Sequence, residues 1–208
     1  MKHFVSKIIQ QRKQNIYRCI KKQNFNFKGI NFASNDYLAL SSEEKLINAA
    51  KQYLNVVGLT SSRYICGNHQ LNIDVSEKIA RIKNFDDALI FSSGYLTAIS
   101  IIPALVDKKC LILADRLSHA SLIDGAQLSG AKFLRFPHNN YQTLEDLLIK
   151  NHQKFDRILV ISESVFSMDG DISDIEKLKE LSKKYQCLLL IDDAHGLGIL
   201  QQKNQNDY

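Results

Sequence analysis

The stretch Leu188-Leu-Leu-Ile-Asp-Asp-Ala-His-Gly196 joins a short, continuously apolar run to two carboxylates, a histidine and a glycine. An apolar run of this length without alternation is typical of a strand that is buried on both faces, as in a parallel sheet. Carboxylates directly after such a strand are costly to hold half-buried unless a cation accompanies them. The stretch therefore predicts a parallel strand whose carboxyl end carries a binding or catalytic site.

Four similar apolar runs precede this one, separated by segments with helical spacing. Arg135 interrupts the third of the five runs, which places that strand nearer an edge of the sheet. Capping-box spacing at Ser41–Glu44 and Ser173–Glu176, and an apolar stripe over Val75–Ile82, predict helices. The alternation predicts an α/β fold with a mostly parallel sheet flanked by helices. The predicted strands are Ala88–Phe91, Cys110–Ala114, Phe133–Phe136, Ile158–Ile161 and Leu188–Ile191.

The composition is that of a globular protein, with 45% hydrophobic and 24% charged residues among 208. The net charge of +5 is spread along the chain, which argues against a nucleic-acid partner. The four cysteines are far apart, so a zinc ribbon is not expected, and we expect no other metal site. No apolar stretch reaches the roughly 20 residues that span a bilayer, and the N-terminus lacks a signal-peptide core. We therefore expect a cytoplasmic protein without a membrane partner.

Ligands of parallel α/β proteins bind outside the carboxyl ends of the strands, so the residues after each run are the candidates. Ser92-Ser-Gly-Tyr95 leads from the first run into a helix, whose free N–H groups and dipole suit a phosphate. His119 follows the second run, where an imidazole can stack on a flat ligand or move protons. Polar side chains also follow the fourth and fifth runs: Glu163, Ser167, Asp192 and His195. Each feature alone has a commoner structural explanation, but together they match the needs of pyridoxal 5′-phosphate (PLP).

The motifs of this chain, in their order, resemble the N-terminal half of the α-oxoamine synthases, a family of fold-type I PLP enzymes. The resemblance is strongest to the 8-amino-7-oxononanoate synthase branch. Asp115–His119 and the pair His138-Asn139 favour that branch over the glycine-using aminoketobutyrate branch. The matching segments are Asn31–Leu38, Ser62–Asn68, Phe91–Tyr95, Ala114–Leu122, Arg135–Asn139, Val165–Asp171 and Ile191–Gly196.

The resemblance implies a role in cofactor binding for several residues. Gly94 and Tyr95 would hold the PLP phosphate through backbone amides. His119 would stack on the pyridine ring, and Asp192 would pair with the ring nitrogen and keep it protonated. Contacts to the phenolic oxygen region of the ring would come from Ser167 and His195. The implied catalytic residues are His119, Asp192 and His195.

The resemblance also implies the reaction and its partners. It is a decarboxylative condensation of L-alanine with a pimeloyl thioester, carried by coenzyme A or an acyl carrier protein, in biotin biosynthesis. Arg18 and His119 are the candidate substrate-binding residues, and His119 would assist proton or carbonyl chemistry. A full-length member of the family would be a homodimer.

The family's Schiff-base lysine lies on a later segment, and nothing in this chain matches it. The only lysine after His195 is Lys203, whose polar surroundings lack the motif. Without that lysine the covalent attachment of PLP to the protein is lost. We therefore expect residues 1–40 to form an N-terminal arm and residues 41–208 an incomplete PLP-binding large domain, truncated before the C-terminal domain. Such a chain would be inactive by itself and prone to aggregation.

Three alternatives remain at this point. The first is another α-oxoamine synthase, similar to 2-amino-3-ketobutyrate CoA ligase. The second is a non-catalytic fragment that acts only by association with another chain. The third, a Rossmann-type nucleotide binder, ranks last because Ser92-Ser-Gly94 does not supply the glycine-rich motif that such a site needs.

Overall fold

The computed structural model describes residues 2–14, 29–54 and 58–200. They group into two units, Met1–Lys51 and Gln52–Tyr208. The first unit holds helix α1 (Lys2–Lys13), a 3-10 turn (Leu40–Ser42) and helix α2 (Glu44–Lys51). The domain boundary between residues 40 and 41 stays a prediction. None of the helices in the described ranges combines the length and the apolarity that crossing a bilayer requires.

The second unit alternates strands and helices after an initial pair of helices. The stripe over Val75–Ile82 lies in the first of these helices, as predicted. The elements in chain order are α3 (Gln70–Lys83), α4 (Gly94–Leu105), β1 (Leu111–Asp115), α5 (Ala120–Ser129), β2 (Lys132–Phe136), α6 (Tyr141–Asn151), β3 (Ile158–Glu163), α7 (Ile175–Lys184) and β4 (Leu188–Asp192).

The four strands form one parallel sheet in the order β2-β1-β3-β4. Ile112 pairs with Leu159 across β1 and β3, and Glu163 pairs with Asp192 across β3 and β4. Because all strands run the same way, their carboxyl ends meet at one edge of the sheet, which is called the carboxyl edge below. β2, the strand that contains Arg135, lies at the side of the sheet, as predicted.

The prediction of a strand at Ala88–Phe91 was wrong for the described residues, because this segment forms no sheet ladder among them. Ala88, Ile90 and Phe91 are half-buried, and Leu89 is 69% exposed. The guanidinium of Arg63 donates to the Ile90 carbonyl at 2.9 Å. An apolar run has the side chains of a strand, but only a neighbouring backbone makes it one, and no described strand lies beside it.

Helices cover both faces of the sheet, and each face has its own core. Alternate residues of β1 and β3 point to opposite faces, which gives every strand residue a helix to pack against. Helices α4 and α5 cover one face, and α6 and α7 cover the other. The first core contains Ala98, Ile102, Ile112, Ala114, Leu122, Ala126, Leu159 and Ile161. The second contains Leu111, Leu113, Leu144, Leu148, Ile158, Val160, Leu178 and Leu181.

Both predicted capping boxes were wrong in detail. The cap of α7 is Asp174, whose carboxylate accepts the Lys177 N–H at 2.9 Å. Ser173 is instead buried, with its hydroxyl 3.0 Å from that of Ser162. The Ser41 hydroxyl donates to Asp36 at 2.6 Å and caps no helix. In each case a nearby group offered the serine hydroxyl a better partner than the helix terminus.

Candidate functional site at the carboxyl edge

Three carboxyl groups end three neighbouring strands at the carboxyl edge. Asp115 is the last residue of β1, Glu163 of β3 and Asp192 of β4. Asp115 is fully buried, Glu163 is 4% exposed and Asp192 is half-buried. Carboxyl groups in this position are expensive for the fold unless hydrogen bonds or cations compensate them. The edge is therefore a concentrated source of negative charge.

Glu163 lies in the middle of this group, and its raised pKa reflects the free energy that burial of its charged form costs. Burial, together with the neighbouring charges of Asp192, Asp115 and Asp171, raises the pKa of Glu163 to about 7. The His119 N–H, which donates to Glu163 Oε1 at 2.6 Å, acts in the opposite direction. The carboxyl group therefore takes up or releases a proton near neutral pH.

His119 stands between β1 and α5 and is the N-cap of α5. Its ring Nδ1 accepts the Ser121 N–H at 3.2 Å and lies 2.7 Å from the Ser121 hydroxyl. The residue is otherwise exposed. His119 is therefore held through its backbone by Glu163 and through its ring by Ser121, while the residue remains exposed to solvent.

Gly94 and Tyr95 form the first turn of α4, as predicted for a helix that starts after Ser92-Ser-Gly94. Ser93 caps this helix, because its hydroxyl accepts the Leu96 N–H at 3.1 Å and its carbonyl accepts the Thr97 N–H at 3.0 Å. The amides of Gly94 and Tyr95 have no acceptor within the helix, as at any helix start. A Cβ atom placed on Gly94 would meet no atom within 4 Å, so the space beside this residue is open.

Tyr95 also connects this helix start to α5. Its hydroxyl donates to Asp124 Oδ2 at 3.0 Å, and this hydrogen bond to a carboxylate raises the pKa of the Tyr95 phenol. Asp124 lies in the helix that His119 caps. The hydrogen bond between Tyr95 and Asp124 therefore brings the first turn of α4 beside the first turns of α5. A second connection runs from His119 to Glu163, which lies beside Asp192 at the strand ends.

The loop after β4 is fixed by Asp193. This carboxylate is ion-paired with Lys83 of α3 and accepts a hydrogen bond from the Ser164 hydroxyl. The preceding Asp192 accepts the Ala194 N–H at 3.0 Å, which closes a turn around its own carboxylate. Gly196 leaves room here for the side chains of Asp193 and Ser164, which a Cβ atom at this position would force to move.

The remaining candidates are less closely connected. His195 is half-buried in the turn after β4. Ser167 is exposed at the tip of the loop after β3, where the Gly170 N–H donates to the Phe166 carbonyl at 2.9 Å. Arg18 and Lys203 lie outside the described residues. Within the described ranges, no group of three or more His, Cys, Asp and Glu side chains has an arrangement that could hold a metal ion.

His138 is a site residue that the sequence analysis did not single out for a role. Its Nδ1 lies 3.0 Å from Asp115 Oδ1, and its Nε2 contacts Asp171 Oδ2. Burial favours the neutral ring, but the hydrogen bonds to Asp115 and Asp171 raise the pKa of His138 above its ordinary value. The ring also packs edge-on against Phe166, with the centroids 4.4 Å apart. His138 thus joins the end of β1 to the loop after β3.

Asn139 completes this junction. Its N–H donates to Asp115 Oδ2 at 2.9 Å and its side-chain amide to Asp171 Oδ2 at 3.0 Å. Its backbone adopts a left-handed conformation with φ of 50°. The position of His138-Asn139 soon after a strand could have indicated a site residue. In the sequence, this pair supports only the resemblance to a family branch.

Comparisons with known proteins agree with this architecture. The model of the family "Aminotransferase class I and II" matches residues 28–207. A "Putative 8-amino-7-oxononanoate synthase" of Methanococcus aeolicus is 43% identical over 205 residues, which are 94% of this chain and 53% of that protein. The chain spans about half the length of the curated relatives that it matches first.

Two solved structures are similar in three dimensions. A serine palmitoyltransferase variant from S. paucimobilis, with a bound PLP–myriocin aldimine, has a TM-score of 0.72 and 29% identity over 77% of this chain and 42% of its own. The 8-amino-7-oxononanoate synthase of Francisella tularensis has a TM-score of 0.61 and 29% identity over 78% of this chain and 44% of its own. The predicted fold class, a parallel α/β sheet corresponding to part of a fold-type I large domain, is thereby confirmed. The chain belongs to the aminotransferase class I and II family.

Proposed function

We propose that this chain forms the PLP-binding part of an α-oxoamine synthase similar to 8-amino-7-oxononanoate synthase. The observation that carries the proposal is the carboxyl edge, where Asp115, Glu163 and Asp192 end three neighbouring strands and the exposed His119 follows one of them. A ligand that brings a positive charge and a flat ring suits this edge. The similarity to named 8-amino-7-oxononanoate synthases supports the choice of family branch.

The start of α4 suits the phosphate of PLP. The Gly94 and Tyr95 amides point out of a helix N-terminus, which favours an anion through both hydrogen bonds and the helix dipole. The open space beside Gly94 would admit the phosphate oxygens close to the backbone. The neighbouring Ser93 and Thr97 groups are already engaged in the cap, so the two amides are the donors that remain for a ligand.

The carboxyl edge suits the ring. Asp192 would hold a proton on the pyridine nitrogen, and His119 would lie against the ring face, with Ser167 and His195 toward its phenolic oxygen. The charges of Asp115, Glu163 and Asp192 all favour the protonated ring. When bound, PLP supplies an electron sink for carbanion chemistry.

For the whole protein we propose the condensation of L-alanine with a pimeloyl thioester, with release of carbon dioxide and of the carrier thiol. In this reaction His119 would move a proton at the substrate or polarise its carbonyl, and Arg18 would bind the substrate carboxylate. A cytoplasmic location and a homodimeric assembly stay predictions from the sequence.

A second candidate is an α-oxoamine synthase that takes a different amino acid. The higher TM-score to a serine palmitoyltransferase than to an 8-amino-7-oxononanoate synthase favours this alternative. The protein, purified from its native host, is supplied with a pimeloyl thioester and with alanine, serine or glycine in turn. The mass of the product identifies the amino acid, and a product with alanine alone is the expected result.

The cofactor proposal is tested on the chain itself with 4-deoxypyridoxine 5′-phosphate, a PLP analogue without the aldehyde that reacts with lysines. Saturable binding measured by calorimetry is expected, and Asp192→Asn should weaken it by about tenfold, the equivalent of one charged hydrogen bond. Asp156→Asn is the matched control, because this exposed aspartate precedes β3 at the opposite edge of the sheet. Equal binding by the two variants would contradict the assignment of Asp192.

A further inference from the structure

Glu163 has an arrangement that stability alone does not explain. It is 4% exposed, and among the residues that the structure describes no lysine, arginine or histidine side chain forms an ion pair with it. Its hydrogen bond is made with the His119 N–H, at 2.6 Å. A buried carboxyl group without a cation costs the fold free energy, and an apolar side chain of similar volume would be neutral or better there.

The groups around Glu163 increase this cost. Asp115 on β1, Asp192 on β4 and Asp171 in the loop after β3 all add negative charge near it. Two basic side chains close to the edge are engaged elsewhere, since His138 lies between Asp115 and Asp171 and Lys83 pairs with Asp193. A side chain that is retained at such a cost is a candidate for a functional role.

The hydrogen bond that the Glu163 side chain makes within the described part of the chain indicates what that role is. His119 lies in a short loop, and its ring orientation depends on where the loop backbone lies. Glu163 fixes that backbone at the N–H, and Ser121 fixes the ring at Nδ1. With both ends held, the imidazole face keeps one orientation relative to the strand end that carries Asp192, which pairs with Glu163 in the sheet register.

We propose that Glu163 is a positioning residue: it holds the backbone of His119 so that the imidazole stacks on the ring of bound PLP. This inference rests on the proposed function, because it assigns a purpose to the orientation of His119. Glu163 itself does not touch the cofactor in this proposal. It acts through the loop that His119 shares with the N-terminus of α5.

The first test needs no ligand and measures hydrogen exchange of the His119 amide. Glu163→Met removes the acceptor but keeps an apolar side chain of similar length, so it is expected to fold. In this variant the His119 amide should exchange about tenfold faster than in the wild type. Glu163→Gln keeps an oxygen at this position and should retain most of the protection. The Tyr185 amide at the end of α7, which donates to the Leu181 carbonyl at 3.0 Å, is the internal reference and should not change.

The second test is a double-mutant cycle with 4-deoxypyridoxine 5′-phosphate. Glu163→Met should weaken binding by about tenfold in the wild-type background, but by less than about twofold in the His119→Ala background. Glu163→Gln should restore most of the affinity. The control Glu77→Gln changes an exposed carboxyl group of α3 and should leave binding unchanged.

The outcomes separate this inference from the proposed function. The positioning role is supported if Glu163→Met exposes the His119 amide to exchange and also weakens binding of the analogue only in the background that contains His119. Unchanged protection in Glu163→Met, or an equal loss of affinity in both backgrounds, would overturn it while leaving PLP binding intact. If the wild-type chain bound no analogue, the proposed function would fail and the positioning role with it, and the exchange result would then describe only a structural contact.

Discussion

The buried carboxyl group of Glu163 makes a quantitative prediction about stability and pH. The pKa of Glu163 is about 7 in the folded protein, against 4.5 for an ordinary glutamate. Between these two pH values the folded state keeps a proton that the unfolded chain has already lost. The free energy of unfolding therefore falls as the pH rises through this window. At 1.36 kcal/mol for each pH unit, the full loss is about 3 kcal/mol.

The perturbation that isolates this effect is Glu163→Gln, because glutamine is similar in shape and uncharged at every pH. At about pH 4.5 the variant and the wild type should have similar stability, since Glu163 is protonated in the folded wild type and only half ionised in its unfolded chain. At about pH 8 the variant should be more stable than the wild type by up to about 3 kcal/mol. Groups that titrate in both proteins, such as His138, cancel in the difference.

The assay is urea unfolding followed by circular dichroism, at constant ionic strength and at several pH values across the window. Glu77→Gln is the control, and its difference from the wild type should not vary with pH over this range. If the difference in the free energy of unfolding between Glu163→Gln and the wild type stayed constant with pH, or favoured the wild type at higher pH, the folded protein would not keep a proton on Glu163 over this range.

Three further predictions concern other parts of the second unit. The pKa of the His138 ring, measured by NMR titration, should lie above the ordinary value of 6.5. The stability that the protonated ring contributes is therefore fully present below pH 6.5 and is lost as the pH rises through the raised pKa. A pKa below 6.5 would contradict the contacts of this ring with Asp115 and Asp171. Gly125→Ala should lower the free energy of unfolding in urea by about 1–3 kcal/mol, because a Cβ atom there would lie 2.7 Å from a carbonyl oxygen of α4. The control is Gly58→Ala, which should have a much smaller effect because the space beside Gly58 is open. Asp193→Ala and Lys83→Met should each lower the melting temperature, and the double variant should lose little more than either single one; fully additive losses would show that the two side chains do not act as a pair.

Most of the sheet could be predicted from the sequence, because a strand that is buried on both faces needs an unbroken apolar run. Three such runs formed ladders, and so did the run that Arg135 interrupts. Arg135 also indicated its position correctly, since a guanidinium is tolerated at the side of a sheet and not in its centre. The segment Ala88–Phe91 has the same composition but no ladder. Pairing is a property of two segments, and the composition of one segment contains no information about the other.

The site was predictable in outline for a similar reason. Strand direction brings Asp192 and Glu163 to one edge, and His119 follows a neighbouring strand end, so topology alone places them near each other. The sequence could not show that His138 bridges Asp115 and Asp171, because that contact depends on the path of two loops. It also could not show that the Glu163 carboxyl group lacks a cation, since burial and partners are decided by packing.

The parallel strand order has a consequence for how the molecule folds. Each ladder joins strands that are separated along the chain by at least one helix, and the ladder between β1 and β3 aligns Leu111 with Ile158. No strand pair can form from residues that are close in sequence, so folding must close long loops before any ladder is gained, and we expect it to be slow. Asp115 and Glu163 meet only when this central ladder closes. The part of the carboxyl edge that these two residues form is therefore absent until this long loop has closed.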